Sequence, residues 1–166
     1  MSVAEVPDTI RRAALMLRLI AAVILVDCVA GFLAVSVIVD RTTELLGAEG
    51  LSMSAFLDAS LFFQLAFAVA LIVLGGRLAT PGNPMRISAI VLSALALLGG
   101  IIGLFSVFTN AQEFEAVTRV LGADILPSWV LPVSVVLALT QLVVSALAIV
   151  NLASAKSAAF SVGESA

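Results

Sequence analysis

The sequence contains no histidine, no tyrosine and only one cysteine in 166 residues. One cysteine cannot form an intramolecular disulfide, and the lack of histidine removes the commonest zinc ligand and the commonest general base. We expect no metal site and no cofactor. Because a nucleophile, a base and an oxyanion-stabilising group cannot be assembled, no enzyme is expected either. The single thiol, Cys28, is interpreted as a small apolar side chain of the first helix rather than a reactive group.

Charged residues are scarce as well, at 11% of the chain, whereas about 25% of the residues of a soluble domain are charged. Hydrophobic residues make up 62%, and the mean hydropathy is +1.24. This composition predicts an integral membrane protein that forms a single domain over residues 1–166 in the lipid bilayer. The few basic residues form no dense run, so a nucleic-acid partner is not expected.

Four apolar segments are each long enough to cross about 30 Å of hydrocarbon at about 1.5 Å per helical residue. They predict an all-α fold, an integral membrane four-helix bundle. A short inner turn rich in glycine and proline follows the second segment. The predicted spans are residues 13–39, 56–79, 86–108 and 130–154, and the predicted outer loops are residues 40–55 and 109–129.

Basic and acidic residues are divided unevenly between the two sides of the predicted bundle. The termini, the inner turn and the span ends next to them carry six basic and three acidic residues, whereas the two outer loops, counted together with Asp58 at the start of the second span, carry two basic and seven acidic residues. Lysine and arginine in short loops favour the cytoplasmic side of a membrane. The charge distribution therefore predicts a multi-pass plasma-membrane protein with both termini in the cytoplasm.

Two stretches of the outer loops resemble each other at an offset of 75 residues. Residues 46–52 align with residues 121–127, and the same offset aligns Arg11 with Arg86. Span one then overlays span three, and span two overlays span four. This predicts a duplicated helix hairpin, with parallel repeats related by an axis along the membrane normal. Chance similarity between two loops of small residues is the alternative interpretation.

The second outer loop has apolar residues at helical spacing, namely Phe114, Val117, Leu121 and Ile125. Their spacing predicts an amphipathic helix that lies on the outer membrane face or on the end of the bundle. Trp129 follows this segment, at a position where an aromatic side chain anchors a helix at the membrane interface.

Small residues recur every three or four positions in three of the spans, and small side chains let helices approach closely in lipid. We expect these helix-packing faces to contact one another. On the second span, four phenylalanines are expected to form a lipid-facing side, with Ser60 and Gln64 on the other side. The small residues are Ala30 and Ala34; Ser93, Ala96, Gly100 and Gly103; and Ser134, Ala138, Ser145 and Ala148. The phenylalanines are Phe56, Phe62, Phe63 and Phe67.

One carboxylate, Asp27, interrupts the first span near its centre. A charge at mid-depth costs roughly 2.5–3.5 kcal/mol on insertion scales, so a carboxylate there requires a partner or a function. Gln141 lies at a similar depth and Gln64 about one turn further out, and either amide can donate a hydrogen bond to a carboxylate. We therefore expect Asp27, Gln64 and Gln141 to meet as an intramembrane polar cluster.

Two functions are compatible with these features. The favoured one is a non-catalytic accessory subunit, scaffold or modulator of a larger membrane complex, with a membrane protein or a second copy of the chain as its partner. The alternative is a small proton- or cation-coupled transporter that uses Asp27. A carboxylate in the first of four spans resembles the small multidrug-resistance exporters by position. In that family a first-helix glutamate binds cationic substrates and protons in a dimer.

A further pattern extends along nearly the whole chain. It consists of two arginines before the first span, an acidic outer loop, a glycine-rich inner turn that ends in arginine, and an ending of small residues. The residues are Arg11-Arg12-Ala13-Ala14, Leu15-Met16, Gly75-Gly76-Arg77, Arg86, Leu152 and Ser157-Ala158-Ala159-Phe160. This pattern resembles small four-span membrane proteins of high-GC Gram-positive bacteria. The resemblance implies the same architecture and a plasma-membrane location, but no activity.

Overall fold

The computed structural model describes residues 6–46, 59–80 and 82–162. In this part of the chain all the regular structure is helical, in agreement with the predicted all-α class. The helices are α1 (Asp8–Leu46), α2 (Ala59–Arg77), α3 (Asn83–Leu121), α4 (Val130–Ala153) and α5 (Ala155–Val162).

Helix α1 extends beyond the predicted first span at both ends. Its 39 residues give a length of about 58 Å, well above the roughly 30 Å of a bilayer core. Residues 40–46, predicted as loop, are helical because neither glycine nor proline interrupts the chain before Gly47. In this extension the buried Thr42 hydroxyl lies 2.9 Å from the Ile38 carbonyl oxygen and 3.0 Å from that of Val39. Predicted-loop residues 47–55 lie outside the described residues.

Helix α3 also contains 39 residues and includes the segment for which a separate amphipathic helix is predicted. A proline in its first turn and Gly82 before it define its start. The helix then runs without a break until Gly122, whose φ of 68° ends it, with the Gly122 N–H donating to the Thr118 carbonyl. Residues 109–121 are thus a continuous extension of α3. Ile125 lies beyond the helix and is buried in the turn that follows.

The four long helices pack in an incomplete ring. Helix α1 packs extensively against α2 and α4, and α4 packs extensively against α3, whereas α2 and α3 contact each other sparsely. Neighbours in the ring are antiparallel, because the start of α1 lies beside the end of α4 and the end of α1 lies beside the turn before α4. Two hydrogen bonds mark these ends: Ser157 to Thr9, and Arg41 to the Asp124 carbonyl.

The two ends of the ring differ in charge. We call the end that holds the starts of α1 and α3 the basic end, and the opposite end the acidic end. The basic end carries Arg11, Arg12, Arg18, Arg77, Arg86 and Lys156 with Asp8. The acidic end carries Asp40, Glu44, Glu113, Glu115 and Asp124 with Arg41 and Arg119.

Helix α5 folds back over the basic end. Phe160 is buried in the same hydrophobic core as Ile10 and Leu152. The buried Ser157 hydroxyl lies 2.9 Å from the Thr9 hydroxyl and 2.8 Å from the Asn151 carbonyl oxygen. These contacts join the end of the described chain to the start of α1 and cover this end of the bundle.

Three of the helices, α1, α3 and α4, are long and apolar enough to cross a membrane, and α2 is a shorter apolar helix. In the most apolar windows of the three long helices at most 17% of the residues are buried inside the protein. Large apolar side chains are exposed on each of the helices α1, α2, α3 and α4. An apolar surface of this extent is characteristic of a protein surrounded by lipid.

Candidate functional site

Asp27 is the central residue of α1, nineteen positions from Asp8 and nineteen from Leu46. Its side chain is exposed in the isolated chain and borders two cavities. Among the described residues none donates a hydrogen bond to the Asp27 carboxylate, and none forms an ion pair with it. The carboxylate is therefore available to a group from outside this part of the chain.

The larger cavity lies between α2 and α3, where the ring of helices is incomplete. It has a volume of about 620 Å³. Its polar lining consists of Asp27, Gln64, Ser106 and Gln141, and its apolar lining includes Phe63 and Phe67. The lining residues of α2 cover only the turn from 63 to 67, about 6 Å along the helix axis.

The smaller cavity, of about 230 Å³, lies between α3 and α4 and also reaches Asp27. Ser106 and Gln141 line both cavities, whereas Asn110 and Ser134 line only the smaller one. Asn110 and Ser134 lie toward the acidic end of their helices. The smaller cavity thus connects Asp27 to polar residues nearer that end.

The three residues of the predicted polar cluster surround the larger cavity but do not bond to one another. The Cys28 thiol donates to the Gln64 amide oxygen over 3.1 Å. The Gln141 amide nitrogen donates to the Ala96 carbonyl over 2.8 Å. Both amides therefore have partners other than Asp27, and the expected bond from an amide to the carboxylate is not formed.

The contact between α3 and α4 is made by the small residues predicted to pack. Ser93 and Ser145 are completely buried, and their hydroxyl groups have no hydrogen-bond partner in the described part of the chain. A Cβ atom added to Gly100 would lie 3.1 Å from Leu142 Cγ, so only glycine fits there without displacing a neighbour. Ala96 and Ala138 are also buried at this contact.

The other predicted packing residues are less enclosed. Gly103 and Ser134 are half-buried and line cavities instead of filling a helix contact. On α1, Ala34 is buried and Ala30 is half-buried. The small residues therefore form one tight contact, between α3 and α4. Beside it, toward Asp27, they line the cavities.

The prediction that the phenylalanines of α2 lie on one side of the helix and Ser60 and Gln64 on the other is only partly correct. Phe62 and Phe63 are 74% and 70% exposed, in agreement with a lipid-facing side, but Phe63 and Phe67 also line the same cavity as Gln64. Residues 63 and 67 are one turn apart, so they share a helix face, and residue 64 is adjacent to it. Phe56 and the side chain of Ser60 lie outside the described residues.

Sequence reasoning assigned Gly75 only to the inner turn, but this glycine permits a close helix contact. A Cβ atom at this position would lie 3.1 Å from the Ala14 carbonyl oxygen and 3.5 Å from Leu17 Cβ. The available signal was the position of Gly75 inside the apolar end of α2, where glycine otherwise weakens a helix.

The basic groups nearest to Asp27 along α1 are distant. Arg18 is nine residues away, about 14 Å along the axis, and Arg41 is fourteen residues away, about 21 Å. Arg41 donates to the Asp124 carbonyl over 2.7 Å. Among the described residues no three His, Cys, Asp or Glu side chains are grouped as for a metal ion. Of the described residues, Asp27 is the one titratable side chain that lines either cavity.

Comparison of the chain with protein-family models, with curated proteins and with solved structures finds no match. Its function therefore has to be argued from the site itself.

Proposed function

We propose that the protein is a four-span integral membrane protein of the plasma membrane with both termini in the cytoplasm. The charge difference between the basic and acidic ends supports this orientation. Helix α2, with 19 residues, is about 28 Å long and can serve as the remaining span. The likeness to small four-span proteins of high-GC Gram-positive bacteria is part of the same proposal.

The proposed duplication has support in the helix bounds. Helices α1 and α3 have the same length, and both their starts and their ends differ by 75 residues. The pairs α1–α2 and α3–α4 also both pack extensively. The repeats differ at Asp27, which the offset aligns with Ile102, and both residues line the larger cavity. The carboxylate is thus a property of one repeat only.

Within this architecture the proposed activity is that of a small proton- or cation-coupled transporter in which Asp27 binds the cation. One observation carries the proposal: an unpaired carboxylate borders two cavities at the middle of a 39-residue apolar helix. An intramembrane carboxylate that served packing alone would be expected to bond to the nearby amides, because exposure of a charge to hydrocarbon is costly. Here the Gln141 amide nitrogen donates to the Ala96 carbonyl instead, and the one bond of Gln64 is accepted by its amide oxygen, so neither amide nitrogen donates to Asp27.

The test is proton flux into liposomes that contain the purified protein. A potassium diffusion potential set by valinomycin drives the flux, and a pH-sensitive dye inside the liposomes records it. We expect Asp27→Asn to abolish the flux because the amide cannot take up a proton, and Asp27→Glu to retain part of it. Asp8→Asn, at an exposed carboxylate of the same helix on the basic end, is the matched control and should leave the flux unchanged. Undiminished flux through Asp27→Asn would refute the proposal.

A non-catalytic accessory subunit, scaffold or modulator is the second candidate function. It is supported by the exposed apolar side chains on the extension of α3 at the acidic end, where Val120 is 85% exposed beside charged neighbours. If the chain belongs to a larger complex, the native protein extracted in mild detergent should co-purify with a larger membrane protein at fixed stoichiometry. Purification of the chain alone, together with Asp27-dependent flux, would exclude this candidate.

A further inference from the structure

The smaller cavity has polar residues on both of its walls: Ser106 and Asn110 lie one turn apart on α3, and Ser134 and Gln141 lie two turns apart on α4, with Leu137 and Ala138 between them. On α3 the sequence of lining residues is Gly103, Ser106 and Asn110, and on α4 it runs from Gln141 to Ser134. Seven residues separate the ends of each series, which corresponds to about 10 Å along the axis. The two series run in the same direction, from the level of Asp27 toward the acidic end.

We propose that this cavity is a water-filled path through which Asp27 exchanges protons with the aqueous phase at the acidic end. The role of the proton in transport rests on the function proposed above, but the path itself does not. A volume of 230 Å³ is large enough to hold several waters. Asp27, Ser106, Asn110, Ser134 and Gln141 can supply the hydrogen-bond partners that such waters require.

The opposite direction is closed in the described part of the chain. On the basic-end side of Asp27, the inward-facing residues of α1 are apolar and buried, among them Leu17, Ile20 and Ile24. Helix α5 covers the end itself with Phe160. Between Asp27 and the basic end, no described polar residue of α1 lines either cavity. Asp27 is therefore reached by water from one end only.

The occupant that this path suits is a proton rather than a metal cation. Hard cations such as Ca²⁺ take six to eight oxygen ligands, usually with several carboxylates, and dehydrate only where these are provided. The cavity offers one carboxylate. A proton requires only that carboxylate and a chain of waters. The Cys28 thiol, the titratable group adjacent in sequence, is directed at Gln64 on α2.

The test is thiol accessibility in intact cells, in a Cys28→Ser background that keeps a donor for Gln64. We expect Ser106→Cys, Asn110→Cys and Ser134→Cys to react with a membrane-impermeant methanethiosulfonate added outside. Phe105→Cys and Val136→Cys are the controls, at a similar depth on the same helices but on exposed apolar faces. Because the thiolate reacts and forms only where water is present, path positions should react at least about tenfold faster than the controls. Equal rates at path and control positions would overturn the proposal.

A second measurement follows the proton directly. In proteoliposomes transferred to D₂O, the infrared carboxyl band that Asp27→Asn removes reports isotope exchange at Asp27. Asn110→Leu should slow this exchange at least about tenfold because it blocks the path, whereas Thr109→Val, on an exposed residue next to it, should not. Unchanged exchange in Asn110→Leu would contradict the path. Fast exchange and labelling without Asp27-dependent flux would support the path and refute the transporter.

Discussion

At the scale of the residue, two adjacent glycines of α2 have opposite environments. A Cβ atom on Gly75 would lie 3.1 Å from the Ala14 carbonyl oxygen, a backbone atom that cannot move without shifting α1. No atom lies within 4 Å of the corresponding position on Gly76. Substitution by alanine at the two positions therefore separates the effect of helix packing on stability from the effect of helix propensity.

We expect Gly75→Ala to lower the free energy of unfolding by about 1 kcal/mol, because the cost of overpacking exceeds the gain in helix propensity. Gly76→Ala should raise it by about 0.5–1 kcal/mol, because it limits the unfolded backbone and meets no neighbour. Thermal unfolding of both variants in the same detergent measures the difference. If both variants shift the midpoint temperature of unfolding in the same direction, α1 and α2 do not make the close contact described at Gly75.

At the scale of the element, Ser157 and Phe160 are the described side chains of α5 that are buried against the bundle. Phe160 supplies its buried apolar contact and Ser157 its hydrogen bonds to Thr9 and Asn151. A helix of eight residues is too short to be stable in water by itself. Its structure therefore depends on docking to the starts of α1 and α3.

Phe160→Ala should detach α5 from the bundle, because a buried phenylalanine truncated to alanine costs about 3–5 kcal/mol in a well-packed site. We expect amide hydrogen exchange over residues 155–162 to become at least about tenfold faster, while the amides of α4 keep their protection. Lys156→Ala, at an exposed position of the same helix, is the control. Protection of α5 that survives in Phe160→Ala would show that other contacts hold it.

Hydropathy predicted the spans because it identifies the residues that lipid surrounds, but it does not identify where a helix ends. The ends of α1 and α3 lie beyond the apolar segments, where only a glycine or proline stops the helix, as Gly122 does for α3. The position of Asp27 and the packing role of Gly100 followed from residue type and spacing. The hydrogen-bond partners of Gln64 and Gln141 could not be predicted in this way. A long amide side chain can reach several partners, and its rotamer decides which one it bonds to.

At the scale of the whole molecule, the opening between α2 and α3 sets the position of the site. In a symmetric arrangement of two hairpins, α2 would pack against α3 as α4 packs against α1. It does not, and the larger cavity occupies this place. The pattern of small residues predicts which helix faces pack. It does not determine which of the two equivalent helix pairs, α1–α4 or α2–α3, is left without close packing. The cavities were therefore not predictable from the sequence.

The orientation of the whole molecule is tested by labelling from outside. In a Cys28→Ser background, Glu113→Cys at the acidic end should react with an impermeant maleimide in intact cells. Gly82→Cys, in the turn before α3, should react only after permeabilisation. Both positions are unobstructed, since Glu113 is exposed and no atom lies within 4 Å of a Cβ on Gly82. Labelling of Gly82→Cys in intact cells would reverse the proposed topology.

The acidic end also has a consequence at long range. Its described residues comprise five carboxylates and two arginines, and Arg119 is paired with Glu115 on the same helix. A surface of one sign beside a low-dielectric slab focuses its field and concentrates counter-ions at its openings. The field extends about 8 Å at physiological ionic strength and about 3 Å in 1 M salt. The local enrichment of protons at the mouth of the smaller cavity therefore falls as salt is added, without any change at Asp27 itself.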